Sequence, residues 1–143
     1  MSVAITWDVD ERPVSEERLS EAVEAALRHG GEAGREVSLA LVDDPTLAEL
    51  HGRFLDDPSP TDVMSFALGE DDGEGAWGEV VVSVDRAKAV AAERGIAWER
   101  EVVLYAVHGT LHLCGWDDHE EEDRRSMRTA EAVVLGELGY DPE

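Results

Sequence analysis

The stretch from Trp98 to Leu113 is apolar on nearly every side, with Val102, Val103, Leu104, Ala106, Val107, Leu111 and Leu113 distributed around it. A helix without a polar face must be enclosed by the rest of its domain. The pattern therefore predicts a central buried helix, around which the other elements are arranged. His108 and His112 sit inside this run. Four residues advance a helix by about 400°, so the two imidazoles leave one face roughly one turn apart. That is the geometry in which two histidines grip one metal ion. Gly115 can take the left-handed conformation that ends a helix, and the chain can then return His119 as a third ligand. Neutral imidazoles without a thiolate favour zinc, with nickel, copper and iron as alternatives. The expectation is one zinc ion on His108, His112 and His119, with the open fourth position of a catalytic site. Cys114 lies six residues past His108, about 240° round the helix, and reads as a small buried hydrophobe, not a fourth ligand.

Three neutral ligands leave such a metal strongly Lewis acidic and able to activate water. Zinc peptidases carry His-Glu-x-x-His on their metal helix. Here Gly109 follows the first histidine, so the glutamate base of those enzymes is missing. The acidic candidates for that role are Asp62, Asp117, Asp118 and Glu101. Glu101 is two turns below His108, about 10 Å along the axis, too far to ligate.

The rest of the chain alternates strands and helices. Val3 to Val9 and Glu36 to Val42 read as strands, as do Thr61 to Leu68 and Glu79 to Val84. Ser15 is a plausible N-cap for a helix that Gly30-Gly31 stops, with His29 in its last turn. Asp44 is expected to cap a short helix with Pro45 at its first position, packed through Leu47, Leu50 and Phe54, with His51 off that face. Residues 56–60 form a loop, and the acidic, glycine-rich stretch from Gly69 to Gly78 forms a flexible hairpin loop. Asp85 to Arg94 and about Glu120 to Leu138 complete the helices. The expected architecture is α/β (α+β): one domain over residues 1–143, with a small mixed four-stranded sheet packed by about five helices, one of them a metalloprotease-like metal helix.

Charge sharpens the functional reading. The formal net charge is -22, with one lysine and eleven arginines. Such a surface repels nucleic acid at long range, because phosphate neutralisation supplies most non-specific affinity. Composition thus argues against a general DNA or RNA binder, and any nucleic-acid role must come from a local site. No apolar run approaches the roughly 18 residues of a membrane span. The N-terminus reads as lacking a signal peptide, and a single cysteine fits a reducing cytoplasm.

The residues from His108 to His119, His-Gly-Thr-Leu-His-Leu-Cys-Gly-Trp-Asp-Asp-His, resemble the signature of the YbeY family of bacterial endoribonucleases. Pro60-Thr61-Asp62-Val63-Met64-Ser65-Phe66 resembles that family's Pro-Thr-Asp-Val-Leu-Ser-Phe segment. Gly78-Glu79-Val80-Val81-Val82-Ser83 resembles its Gly-Asp-Ile-x-Ile-Ser strand, with Glu79 in place of the aspartate. Met127 and Glu131 match the Met-x-x-x-Glu of its final helix, and Leu138-Gly139-Tyr140 its C-terminal ending. The likeness runs over about residues 36 to 140. It implies one zinc ion on His108, His112 and His119, single-strand-directed endoribonuclease activity, small-subunit ribosomal RNA maturation and a part in ribosome quality control. Two departures stand out. An extra aspartate precedes His119, and Leu55 stands where many members carry an arginine, a role that Arg53 can take. The candidates are therefore Asp62 and Asp118 for catalysis, and Arg53, Thr61 and Ser65 for the substrate cleft. The expected partner is ribosomal RNA or the small ribosomal subunit, delivered by partner proteins where the acidic surface resists direct contact; no membrane and no DNA are expected. The competing functions are a non-catalytic, zinc-containing ribosome-assembly factor and a zinc hydrolase of another class, such as a peptidase.

Overall fold

The computed structural model describes residues 3–47, 49, 63–67, 77–116 and 120–140. Strands β1 (Val3–Trp7), β2 (Val37–Val42), β3 (Val63–Ala67) and β4 (Gly78–Ser83) form one mixed sheet in the order β1-β2-β4-β3. β1 and β4 both run parallel to β2, and β3 pairs antiparallel with β4, Val63 opposite Val82. The parallel pairs need crossovers, and helices supply them. Helix α1 (Glu16–His29) links β1 to β2. A helix α2, whose first described turn is residues 44–47, follows β2. Helices α3 (Val84–Arg94), α4 (Trp98–Leu113) and α5 (Glu121–Glu137) complete the order.

Caps explain several boundaries. Ser15 accepts a hydrogen bond from the Arg18 amide, as its sequence position predicts. One expected cap shifts. Asp43, not Asp44, caps α2: its carboxylate accepts from the Thr46 amide at 2.9 Å. Asp44 instead accepts from the Ser83 hydroxyl at 2.6 Å and pairs with Arg86. Asp43 and Asp44 are equally able to cap, and tertiary contacts engage Asp44. Helix α3 begins at Val84, one residue before the expected start at Asp85, and Ser83 caps it by accepting from the Arg86 amide. β1 ends at Trp7, two residues before the predicted end.

Alternation along β2 separates the two faces of the sheet. Val37, Leu39 and Leu41 join Val80 and Val82 against the apolar sides of α1, α4 and α5. Each such side chain, fully buried, contributes roughly 1.5–3 kcal/mol. The opposite face holds a smaller cluster of Val42, Leu47, Met64 and Val81, which α2 covers through Leu47. Leu50, His51, Phe54 and the two expected loops lie outside the described residues. Helix α4 packs against α1, α3, α5, β3 and β4, the central position its apolar circumference predicts.

Its one buried carboxylate is neutralised in place. Glu101 is 1 % exposed, and Arg94 donates to it at 3.2 Å. Glu101 is thus tied to the end of α3, a structural use that removes it from the acid–base candidates.

Candidate metal centre

His108 and His112 project from α4 with their rings 4.6 Å apart, inclined at 77°. Their Nε2 atoms converge to 3.1 Å. In a tetrahedral zinc site with Zn–N bonds of about 2.0–2.1 Å, two ligand nitrogens stand about 3.3–3.4 Å apart. The pair is therefore spaced as two corners of such a site. The other nitrogen of His108, Nδ1, lies 2.5 Å from the Glu131 carboxylate on α5. A carboxylate there requires Nδ1 to carry the proton, which leaves the Nε2 lone pair facing His112. Carboxylate–histidine pairs of this kind fix tautomer and ring orientation at metal centres. The donor set and its support fit zinc. Among the described residues no group of three His, Cys, Asp or Glu side chains gathers to hold a metal. The third expected ligand, His119, lies outside them, as do Arg53, Thr61, Asp62, Asp117 and Asp118.

The backbone after the pair turns as Gly115 predicts. Gly115 has φ 98°, and its amide donates to the His112 carbonyl while that of Trp116 donates to Leu111, both at 3.0 Å. These two bonds make a Schellman ending, which closes α4 one turn after the second histidine. Trp116 lies against the His29 ring, 5.6 Å between centroids. His29 thus joins the end of α1 to the segment leaving α4, a packing role.

Gly109 has a steric reason. A β-carbon there would come within 2.5 Å of Val80 and 3.0 Å of Val63. The face of α4 beside the first histidine is pressed onto β3 and β4, where a glutamate has no room. Ser65 reinforces that contact, since its hydroxyl donates to the Gly109 carbonyl at 2.8 Å. The structure thus gives this cleft candidate a strut between sheet and metal helix. Cys114 packs beside Gly30 at the end of α1, away from the histidine pair. Burial, and then the nearby Glu32, push its thiol up to about 11, so it stays a neutral thiol.

A cavity of about 220 Å³ adjoins His108 between α4, α5 and β3. His108, Glu131, Arg124 and Arg128 supply its polar lining, with Leu104 and Met127 among its apolar residues. The sequence reading overlooked Glu131 as the partner of His108. Its one signal was position: Arg124, Met127, Arg128 and Glu131 fall at helical spacing on one face of α5.

Residues 5–139 match the family described as Endoribonuclease YbeY. A protein named endoribonuclease YbeY from Desulfitobacterium hafniense is 38 % identical, over 97 % of this chain and 98 % of its own length. One of the same name from Carboxydothermus hydrogenoformans is 40 % identical, over 94 % and 92 %. The solution structure of TM1509 from Thermotoga maritima superposes with a TM-score of 0.65 over 95 % of this chain and 88 % of that one; at 24 % identity it speaks to the fold. The matched span extends beyond the likeness read from motifs, taking in most of β1 and all of α1. The chain belongs to the YbeY endoribonuclease family.

Proposed function

We propose that this chain is a zinc-dependent, single-strand-directed endoribonuclease acting in small-subunit ribosomal RNA maturation and ribosome quality control. It works as one domain, in the cytoplasm. The observation that carries the reading is the convergence of His108 and His112 Nε2 at 3.1 Å, with Glu131 behind the first ring. The name shared by its relatives supports RNA as the substrate. No described helix is long and apolar enough to cross a membrane.

His108, His112 and His119 hold the metal in this reading. Zinc, when bound, supplies a Lewis acid that activates water and offsets charge developing on the phosphate. Glu131 keeps the His108 proton on Nδ1 and so keeps Nε2 available. The close packing at Gly109 leaves proton transfer to another part of the chain, for which Asp62 and Asp118 are the candidates. The same packing disfavours a peptidase of the His-Glu-x-x-His kind. Ribosomal RNA or the small subunit is the partner, with proteins delivering it across the acidic surface.

The test is cleavage of a single-stranded ribosomal RNA fragment and of its duplex by purified wild type and His112→Ala. The expected result is cleavage of the single strand by wild type alone. Equal cleavage by both proteins would assign the activity to a contaminant. A fully folded, metal-loaded wild type that leaves the strand intact would favour the non-catalytic assembly factor.

A further inference from the structure

We propose that Arg124 and Arg128 form a phosphate subsite that grips the RNA strand beside His108; this rests on the endoribonuclease reading above. Both arginines line the cavity that His108 and Glu131 also line. They stand one turn apart on α5, and Glu131 lies three residues beyond Arg128. The three side chains therefore form one row, with about 10 Å of axial rise from end to end. The row has the right division of labour. The Glu131 carboxylate is engaged by His108 and stands at the metal end. The two arginines precede it on the same helix face, where they can meet a phosphate flanking the reacting one.

The setting of Arg128 differs from that of most other basic groups. In a chain of net charge -22, most described cations lie within ion-pair distance of a carboxylate. Arg12, Arg18, Arg35, Arg86, Lys88, Arg94 and Arg125 all do so. Arg128 is exposed and makes no side-chain ion pair among the described residues, although Glu131 is within helical reach. An arginine fork suits a phosphate, which it can bind through two parallel hydrogen bonds. Leu104 and Met127 give the cavity an apolar floor, suited to a ribose or the face of an unpaired base. At about 220 Å³ the space is smaller than the roughly 300–1,000 Å³ of small-molecule sites. It fits part of a polymer whose remainder stays in solvent.

The test compares Arg128→Gln, the double variant Arg124→Gln/Arg128→Gln and the control Arg125→Gln, using metal-loaded protein and a single-stranded RNA oligonucleotide. Arg125 is on the same helix and its removal changes net charge by as much as Arg128→Gln does, but it pairs with Glu121 outside the cavity. The double variant should raise KM about tenfold, the scale of one charge-assisted hydrogen bond, with kcat within about twofold. Its salt dependence of binding should be shallower than that of the control by about 0.7 for each phosphate that is no longer neutralised. Arg128→Lys should recover most of the salt dependence. All variants should retain the metal content of wild type. KM and salt dependence indistinguishable from Arg125→Gln would overturn the subsite alone. Loss of metal in the double variant would also overturn it, by placing the arginines in support of the histidines. A wild type that neither binds nor cleaves RNA would sink the function on which the subsite rests.

Discussion

Glu131 and Gly109 decide what His108 can do. Glu131 sits 2.5 Å from Nδ1 of His108, and an alanine there leaves the ring free to change tautomer and tilt. Glu131→Ala should weaken zinc binding about 10–100-fold, read by competition with a chromophoric chelator. An unchanged affinity would mean that α4 alone holds the ring. Gly109→Ala forces a methyl group to within 2.5 Å of Val80. Overpacking of this kind costs about 1–3 kcal/mol, which urea denaturation should show as a lower midpoint at unchanged slope. A neutral result would show that β4 yields to α4. Sequence alone revealed that the glutamate of zinc peptidases is missing at position 109. The reason was hidden, because Val80 and Val63 approach from strands distant in sequence. The pairing of Glu131 with His108 was hidden in the same way, since it forms between two helices.

At the scale of elements, α4 was the most legible part of the fold. Its unbroken apolar circumference predicted both its span and its central position, and Gly115 predicted its ending. The start of α2 was misplaced by one residue, since Asp43 and Asp44 are equally good caps. The choice depends on Ser83 and Arg86, which engage Asp44 from the end of β4 and the first turn of α3. Capping by Asp43 makes a pH-dependent prediction. Hydrogen bonds from the Thr46 hydroxyl and amide hold the Asp43 carboxyl below its ordinary value. Its stabilising contribution is therefore full above the unfolded carboxylate pKa and is lost as pH falls through the folded one. Asp43→Ala should cost about 1 kcal/mol at neutral pH. That cost should shrink as the pH falls through and below the usual carboxylate range. Equal cost at pH 7 and pH 3 would show that the cap does not act through its charge.

Across the whole molecule, the net charge of -22 makes the folded chain repel itself. Raising the salt from 0.01 to 0.15 M shortens the screening length from about 30 to about 8 Å. The melting temperature should rise over that range; a fall would mean that the surface ion pairs outweigh the repulsion. The same charge is why composition argues against a general nucleic-acid binder. Four strands and the helices around them followed from alternation and apolar spacing. The strand order β1-β2-β4-β3 did not, because pairing of β2 with β4 joins segments separated by the whole of β3. The central claim is that one metal ion on the histidines of α4 and its return segment drives RNA cleavage. Stripping the protein with a chelator and restoring zinc stepwise, while following cleavage of a single-stranded RNA, tests it most directly. Activity should vanish on stripping and climb to a plateau at one equivalent of zinc in wild type, and stay absent in His112→Ala. Cleavage that survives stripping in both proteins would contradict the claim.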